Sequence, residues 1–404
     1  MGSNEMVELH QDYQITTALS PIPTKTLASA PMAPPRLPPE LADDATAEIL
    51  LRLPPDEPAH LVRAALVCKP WRRILSDPVF SRRYREIHRT PPLLGYLSND
   101  VQGTRFVPST AASAPRFSPA LECRRWWALD CRHGRVLLHS AAPAGLVVWD
   151  PVTGGKQHVP MPVPVRAGND FAAAVLCAAS GCDHLHCHGG PFLVVLVDAG
   201  VKARTSACVY SSETATWSDM AFTVLPGTVA GIKHTTLVEN SLYFLCVRTR
   251  GAASFAERIL EYDLGRRQLS VFAVPSSVFT GSSILIQDEG GVLGLANSFL
   301  SEVFLWWRVK GSEGTWAWTK PRGIGLMTLL PAHAISRRPN LVGFVEGLGV
   351  LFVRTDVGVF IIELKSRHTW KVSDGVSCHN VLPFMSFYTP DYAIGNLQSA
   401  VETS

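Results

Sequence analysis

The sequence has little charge and no long apolar run, and each absence disfavours a class of protein. Charged residues make up 18% of the 404 residues, against roughly 25% in an average soluble protein, so a disordered chain or a long coiled coil is not expected. The longest apolar stretches, such as Phe192 to Val197, fall far short of the roughly 18 to 20 residues that span a bilayer. The net charge of +3 gives no reason to expect nucleic acid or a membrane as a partner.

The sequence also lacks signals for export. Glu5, Glu8 and Asp12 stand near the N-terminus, where a signal peptide has a basic and then an apolar segment. No Asn begins a glycosylation sequon, and nine cysteines are an odd number in a long chain, which favours reduced thiols. We therefore expect the protein in the cytoplasm, the nucleus or both.

The chain divides by composition into two tails and two modules. Residues 1–35 contain five prolines and no apolar periodicity, which predicts a disordered tail. Helical spacing follows in residues 36–89, a strand repeat follows in residues 90–395, and residues 396–404 form a C-terminal tail.

Four short helices are predicted in residues 36–89. Apolar residues at i, i+4 spacing mark the first helix: Leu41, Ala45, Ile49 and Leu53. Pro54 ends it, Asp56 is the expected N-cap of the second helix, Pro70 opens the third and Asp77 caps the fourth. A module of this size buries only a marginal core. We therefore expect it to be stabilised by packing against a partner or against the rest of the chain.

A strand–turn–strand pattern recurs five times in residues 90–395. One of its turns is Asp150-Pro151-Val152-Thr153-Gly154, which is typical turn chemistry. The matching central positions are Trp149, Tyr210, Tyr262, Trp306 and Ile362, spaced 44 to 61 residues apart. This period predicts a β-propeller, and packing within the blades is the favoured role of the aromatic rings, over a ligand cage.

Two strand groups remain outside the five copies. Leu93–Leu97 and Arg105–Val107 precede the repeat, and Val381–Tyr388 follow it. If these groups pair, they form a sixth blade that closes the ring and removes its exposed edges. We therefore favour six blades over five or seven.

The segment from Leu41 to Pro55 resembles the start of an F-box. Leu66-Val67-Cys68-Lys69-Pro70-Trp71 and the following Asp77-Pro78-Val79-Phe80 strengthen the resemblance. The whole chain resembles a plant F-box protein of the cereal type with a C-terminal, propeller-like F-box-associated domain. The resemblance implies a multidomain protein, in which a small all-α F-box module precedes an all-β propeller of about six blades, kelch- or galactose-oxidase-like.

The same resemblance implies a substrate-receptor subunit of an SCF-type (Skp–cullin–F-box) ubiquitin ligase, active in protein ubiquitination. The F-box would bind a Skp-type adaptor, which binds cullin, and the propeller would bind a cargo protein by protein–protein interaction. The adaptor contacts carried over are Leu41, Ile49, Leu50, Pro54, Leu66, Val67 and Trp71. It implies a non-catalytic adaptor with no cofactor and no metal, and the sequence does not identify the cargo site.

The opening of the module departs from the family pattern Leu-Pro-x-x-Leu-Leu. The aligned residues are Leu41-Ala42-Asp43-Asp44-Ala45-Thr46, unless Leu37-Pro38-Pro39-Glu40-Leu41 supplies the motif instead. Two alternatives therefore stay open. The chain could be an F-box-derived scaffold outside a ligase, or a propeller enzyme with a vestigial F-box.

Three further features were weighed as sites. Cys182–His188 alternates Cys and His as a zinc site does, but a flexible loop is favoured, with Cys177 and Cys208 as core residues. The basic run Arg82–Arg89 is expected to be a solvated helix face. No serine-hydrolase elbow, P-loop or zinc-protease motif occurs in the sequence.

Cargo specificity is expected in inter-strand loops, for example residues 161–170, 199–206, 247–257 and 309–315. In each of the pairs Trp126-Trp127 and Trp306-Trp307, one ring is expected to be available to a partner, because successive side chains of a strand face opposite ways.

Overall fold

The computed structural model describes residues 41–109, 126–141, 144–162, 171–185, 187–198, 204–224, 228–249, 257–275, 281–311, 314–335, 338–374 and 377–389. These ranges contain four α-helices, twenty-five β-strands and two short 3-10 turns. None of the helices described is both long and apolar enough to cross a membrane.

The helices follow one another directly: α1 (Asp43–Leu50), α2 (Ala59–Val67), α3 (Lys69–Leu75) and α4 (Pro78–His88). The predicted cap of α4 is confirmed, since the Asp77 carboxylate accepts a hydrogen bond of 2.8 Å from the Val79 N–H, a group that otherwise lacks a helical partner. The predicted cap of α2 is wrong. That helix begins after Pro58, not after Asp56, because the fixed φ of proline suits a helix start.

The described strands form six antiparallel sheets, which are the blades of a propeller. Five blades use consecutive strands. The first of these blades consists of β3 (Trp126–Arg132), β4 (Arg135–Ala141), β5 (Ala144–Trp149) and β6 (Lys156–Val159). The second consists of β7 (Phe171–Cys177), β8 (Phe192–Asp198), β9 (Arg204–Ser211), β10 (Thr216–Trp217) and β11 (Ala221–Val224).

The next three blades repeat this order. They are β12 (Thr228–Val238), β13 (Ser241–Thr249), β14 (Glu257–Asp263), β15 (Gln268–Ala273); β16 (Ser282–Gln287), β17 (Leu293–Phe299), β18 (Glu302–Lys310), β19 (Trp316–Trp318), β20 (Arg322–Gly325); and β21 (Asn340–Val345), β22 (Val350–Thr355), β23 (Gly358–Glu363), β24 (Thr369–Ser373). The sequence pattern missed β11 and β20, which extend the outer edges of two blades by pairing with β9 and β18.

The sixth blade joins the two ends of the propeller, as predicted. Its strands β1 (Leu93–Asp100), β2 (Gly103–Pro108) and β25 (Asn380–Met385) lie in the order β2-β1-β25. Leu97 lies opposite Leu382 in this pairing. The ring therefore closes by pairing its first strand with its last, which places β1 in the middle of the sheet.

The five central repeat positions all lie on the third strand of a blade. Trp149, Tyr210, Tyr262, Trp306 and Ile362 are buried there. Packing between and within blades, and not a ligand cage, therefore explains their recurrence.

The turns that join the first and second strands of the blades converge around one end of the central channel. His133, Glu239 and Gly347 belong to three such turns, and all line a single cavity of about 560 Å³. Thr90 and Pro91, which link α4 to β1, line it as well. We call this end of the propeller the module face.

The helical module packs against the propeller through its own small core. Leu50, Leu61, Leu75 and Tyr84 share that core with Phe387, which follows β25, and Leu185 packs against it. The rings of Tyr84 and Phe387 meet edge to face at 6.2 Å. The expectation that this module leans on the rest of the chain is confirmed.

Candidate adaptor-binding surface and propeller channel

The seven residues predicted to contact an adaptor differ in accessibility. Five are exposed: Leu41, Ile49, Pro54, Leu66 and Val67. Trp71 is half-buried against the module core. Leu50 is only 2% exposed, so its side chain does not reach the module surface.

Helix geometry explains why Leu50, one of the predicted contacts, is buried. Successive residues of an α-helix point about 100° apart, so Ile49 and Leu50 face different ways. Leu50 turns into the core beside Leu61 and Leu75, whereas Ile49 remains 52% exposed. A substitution at Leu50 would therefore disturb folding before it reported on binding.

The exposed apolar residues of α1 and α2 are candidates for docking a partner. Leu66 is 74% exposed and Val67 is 64% exposed at the end of α2, and Ile49 occupies the last turn of α1. We call these three residues the apolar surface of the module. Large aliphatic side chains that are exposed to solvent at helix ends are typical of a site that a partner covers.

Ion pairs attach α1 to its neighbours. Arg73 of α3 contacts Asp43 at 2.5 Å, and Arg83 of α4 contacts Glu48 at 2.6 Å. Both pairs are exposed, so each contributes little to stability. They fix the position of α1 beside α3 and α4, and Arg83 and its neighbour Arg82 lie on an exposed helix face as predicted.

The residues that depart from the family pattern lie on both the buried and the exposed side of the chain at α1. Thr46 is buried in the module, in a position where the family has a larger leucine. Ala42 and Ala45 are exposed, so the apolar area that α1 offers at these positions is small. The alternative opening motif at residues 37–40 lies outside the described residues.

A charged network crosses the channel at the module face. Arg132 of β3 contacts Glu346 at 2.6 Å and Asp130 at 3.3 Å, and it donates a hydrogen bond of 2.6 Å to the Thr235 carbonyl. The Val175 N–H donates to Asp130 at 2.9 Å. Burial raises the pKa of Asp130, although Arg132 and this hydrogen bond lower it. The network joins four blades around the channel axis.

The other end of the channel has an aromatic rim. Trp127, Phe171, Asn340 and His379 line a cavity of about 330 Å³ there, and the rings of Trp127 and His379 lie 5.8 Å apart. We call it the far mouth. Strand β3 runs from Trp127 at the far mouth to Arg132 at the module face over six residues, which is about 17 Å.

Trp127 confirms the expectation of one accessible ring in its pair, because it is 36% exposed while Trp126 is half-buried. In the second pair, Trp306 is buried and Trp307 is half-buried. Of the loops predicted to bind cargo, residues 163–170, 199–203, 250–256 and 312–313 lie outside the described residues.

The Cys/His segment is more ordered than the sequence indicated. It is the turn between β7 and β8, as expected of a loop, but Cys182, His184 and Cys187 gather there around Cys177. Treating Cys177 as a core residue was wrong, because β7 ends at Cys177 and the turn folds back onto its side chain. Cys208 is a core residue, as predicted, and His186 lies outside the described residues.

Comparison with known proteins supports the helical module directly. Residues 35–86 match the family model described as F-box-like, of which residues 41–86 are described here. No curated protein matches the chain.

Similar solved structures are distant. They include a nidogen/laminin complex, with 10% identity over 72% of this chain and 98% of that chain and a TM-score of 0.44. Another is the WD40 domain of SCAP from fission yeast, with 14% identity over 61% of this chain and 52% of that chain and a TM-score of 0.35. A third is the PQQ-bound aldose sugar dehydrogenase from Streptomyces coelicolor, with 13% identity over 62% of this chain and 80% of that chain and a TM-score of 0.36. Likenesses of this size say nothing about function, and the fold assignment rests on the blades themselves. The chain therefore carries an F-box-like domain at residues 35–86, followed by a six-bladed β-propeller.

Proposed function

We propose that this protein is the substrate-receptor subunit of an SCF-type ubiquitin ligase. F-box domains generally bind Skp-type adaptors, and an F-box-like domain followed by a propeller fits a receptor of this kind. In this proposal the adaptor links the chain to cullin, the propeller holds a cargo protein, and the protein works in the cytoplasm, the nucleus or both.

The observation that carries the proposal is the apolar surface of the module. Ile49, Leu66 and Val67 lie on the F-box-like domain and remain exposed. Removing such side chains from water stabilises a complex by about 1.5 to 3 kcal/mol for each one fully buried. A helical adaptor groove lined by apolar residues is the kind of partner that this surface suits.

The far mouth is the part of the propeller that we propose for cargo. Trp127 and His379 offer aromatic faces there, and Asn340 offers hydrogen-bonding groups, a combination that favours protein contacts. Because β3 separates this mouth from the module face by about 17 Å, cargo and adaptor could be bound together. The receptor then acts by proximity: it raises the local concentration of cargo lysines near the ubiquitin-charged enzyme.

Reconstitution of the ligase tests this proposal. The full chain, a Skp-type adaptor and a cullin are expected to elute together from a size-exclusion column as one stoichiometric complex. Adaptor and cullin without the chain, and chain and cullin without the adaptor, are the matched controls. The chain should join cullin only when the adaptor is present.

A folded chain that elutes apart from the adaptor would contradict the proposal. It would favour an F-box-derived scaffold outside a ligase, a role to which the exposed Ala42 and Ala45 point. Circular dichroism of the eluted chain separates this result from misfolding.

A further inference from the structure

The turn between β7 and β8 gathers four side chains with metal-binding atoms. Cys177 ends β7, and Cys182, His184 and Cys187 follow in the turn. The thiol sulfurs and one imidazole nitrogen of these residues all lie within 4.8 Å of one another. Three cysteines and one histidine are a ligand set that structural zinc sites use.

Two separations in the cluster agree with a tetrahedron around zinc. The Sγ atoms of Cys182 and Cys187 are 3.6 Å apart, and Cys187 Sγ is 3.7 Å from His184 Nδ1. With zinc–sulfur bonds of about 2.3 Å and zinc–nitrogen bonds of about 2.0 to 2.1 Å, tetrahedral geometry places such atoms roughly 3.5 to 3.8 Å apart. These two separations therefore already suit an ion, and the full set of ligand atoms lies within 4.8 Å.

The surroundings hold the ligands in position. The His184 N–H donates a hydrogen bond of 3.4 Å to Cys182 Sγ, and the His133 ring stacks on the His184 ring at 4.1 Å. His133 Nδ1 also accepts a hydrogen bond of 3.2 Å from the Cys177 N–H. Outer contacts of this kind orient the ligands of a metal. His184 itself has a φ of 61°, a strained conformation that clusters at functional sites.

The charge around the cluster also suits a metal thiolate. Zinc with three thiolates and a neutral imidazole carries one net negative charge. Arg135 is buried next to the cluster, where its guanidinium donates to the carbonyls of Cys187 and Gly190. In the described part of the chain, Arg135 has no carboxylate partner and its Nη1 has no hydrogen-bond partner. A buried cation of this kind requires a compensating charge, and the metal thiolate supplies it.

We propose that Cys177, Cys182, His184 and Cys187 bind one zinc ion. The ion would brace the turn of the propeller that packs against the F-box-like domain through Leu185. Leu185, between two of the ligands, packs against the module core, and His188, next to Cys187, lies 2.6 Å from Asp150 and 3.2 Å from Ser386. The role is structural, and it does not depend on the proposed ligase function.

Metal content of the full chain tests this site. The chain is expressed with added zinc and freed of loosely bound metal by gel filtration. Its zinc content is then measured by elemental mass spectrometry. We expect about one zinc ion per chain, and near-complete loss in Cys182→Ser and in Cys187→Ser. Cys68→Ser is the matched control, because Cys68 is an exposed cysteine outside the cluster; this variant should keep its zinc.

Two measurements on the unaltered protein remain decisive if a variant fails to fold. Cobalt exchanged for zinc should give the visible bands of a tetrahedral thiolate site. Bound zinc should also protect Cys177, Cys182 and Cys187 from alkylation, whereas Cys68 should react with or without metal. A folded chain without zinc and without a cobalt spectrum would overturn the proposal. So would zinc that persists in both serine variants, or a disulfide between Cys182 and Cys187 in freshly prepared protein.

Discussion

Replacing Ile49 and Leu66 together with lysine is expected to weaken binding of a Skp-type adaptor by about 100-fold or more. Each side chain would lose about 1.5 kcal/mol or more of apolar burial, and about 1.4 kcal/mol corresponds to a factor of ten in affinity. Lysine also brings a charge that must be desolvated in an apolar contact. Titration calorimetry with the purified full chain measures the change.

Ile87→Lys provides a closely matched control for this experiment. Ile87 is 54% exposed and Ile49 is 52% exposed, and both lie in the last turn of a helix, where a cation is tolerated. Ile87 is not among the predicted contacts, so its variant should bind like the parent. Equal affinities of the double variant and the parent would show that the adaptor does not use this surface.

Arg132→Ala is expected to lower the free energy of unfolding by about 3 to 5 kcal/mol, the cost of leaving buried carboxylates without their partner. Only 8% of the Arg132 side chain and 5% of the Asp130 side chain are exposed. The variant would also lose the hydrogen bond to the Thr235 carbonyl, which ties β3 to β12 across the channel. Chemical unfolding of the full chain measures the loss.

The loss of stability in Arg132→Ala should depend on pH. Burial already raises the pKa of Asp130, and removal of Arg132 would raise it further. A carboxyl whose folded pKa exceeds its unfolded value destabilises the fold at high pH, and this penalty is relieved as the pH falls through the folded pKa. The difference between variant and parent should therefore shrink as the pH falls through the raised pKa of Asp130 in the folded variant.

Arg266→Ala is the control for that prediction, because Arg266 is exposed and its contact with Asp263 is long, at 3.8 Å. A surface pair of this kind is worth about 0 to 1 kcal/mol. If Arg132→Ala destabilised the chain no more than Arg266→Ala does, the channel network would not contribute to stability.

Local sequence signals were sufficient for most elements of this fold. The Asp77-Pro78 pair starts a helix through its own side-chain and ring chemistry, and it does so in the structure. The strand–turn pattern located the third strand of five blades because a buried strand and its turn are contiguous in sequence. Closure of the ring was also predictable, since unpaired strand groups at both ends of a propeller have each other as partners.

The errors concern facts that only the folded chain supplies. Which side of α1 faces inward depends on what α2 and α3 place against it, so the sequence did not reveal that Leu50 is buried in the module core. The approach of Cys177 to Cys182 and Cys187 depends on how the turn after β7 folds back, which spacing alone does not reveal. The short strands β11 and β20 carry weak patterns of their own, and they form because β9 and β18 offer free edges.

Hydrogen exchange of the full chain with and without a Skp-type adaptor tests the central claim most directly. If the adaptor binds the apolar surface, amide exchange should slow in α1 and α2, around Ile49, Leu66 and Val67, and stay unchanged at the far mouth around Trp127. If exchange in these two helices does not slow when the folded chain is saturated with adaptor, the result would contradict the account. Protection confined to the propeller would contradict it as well.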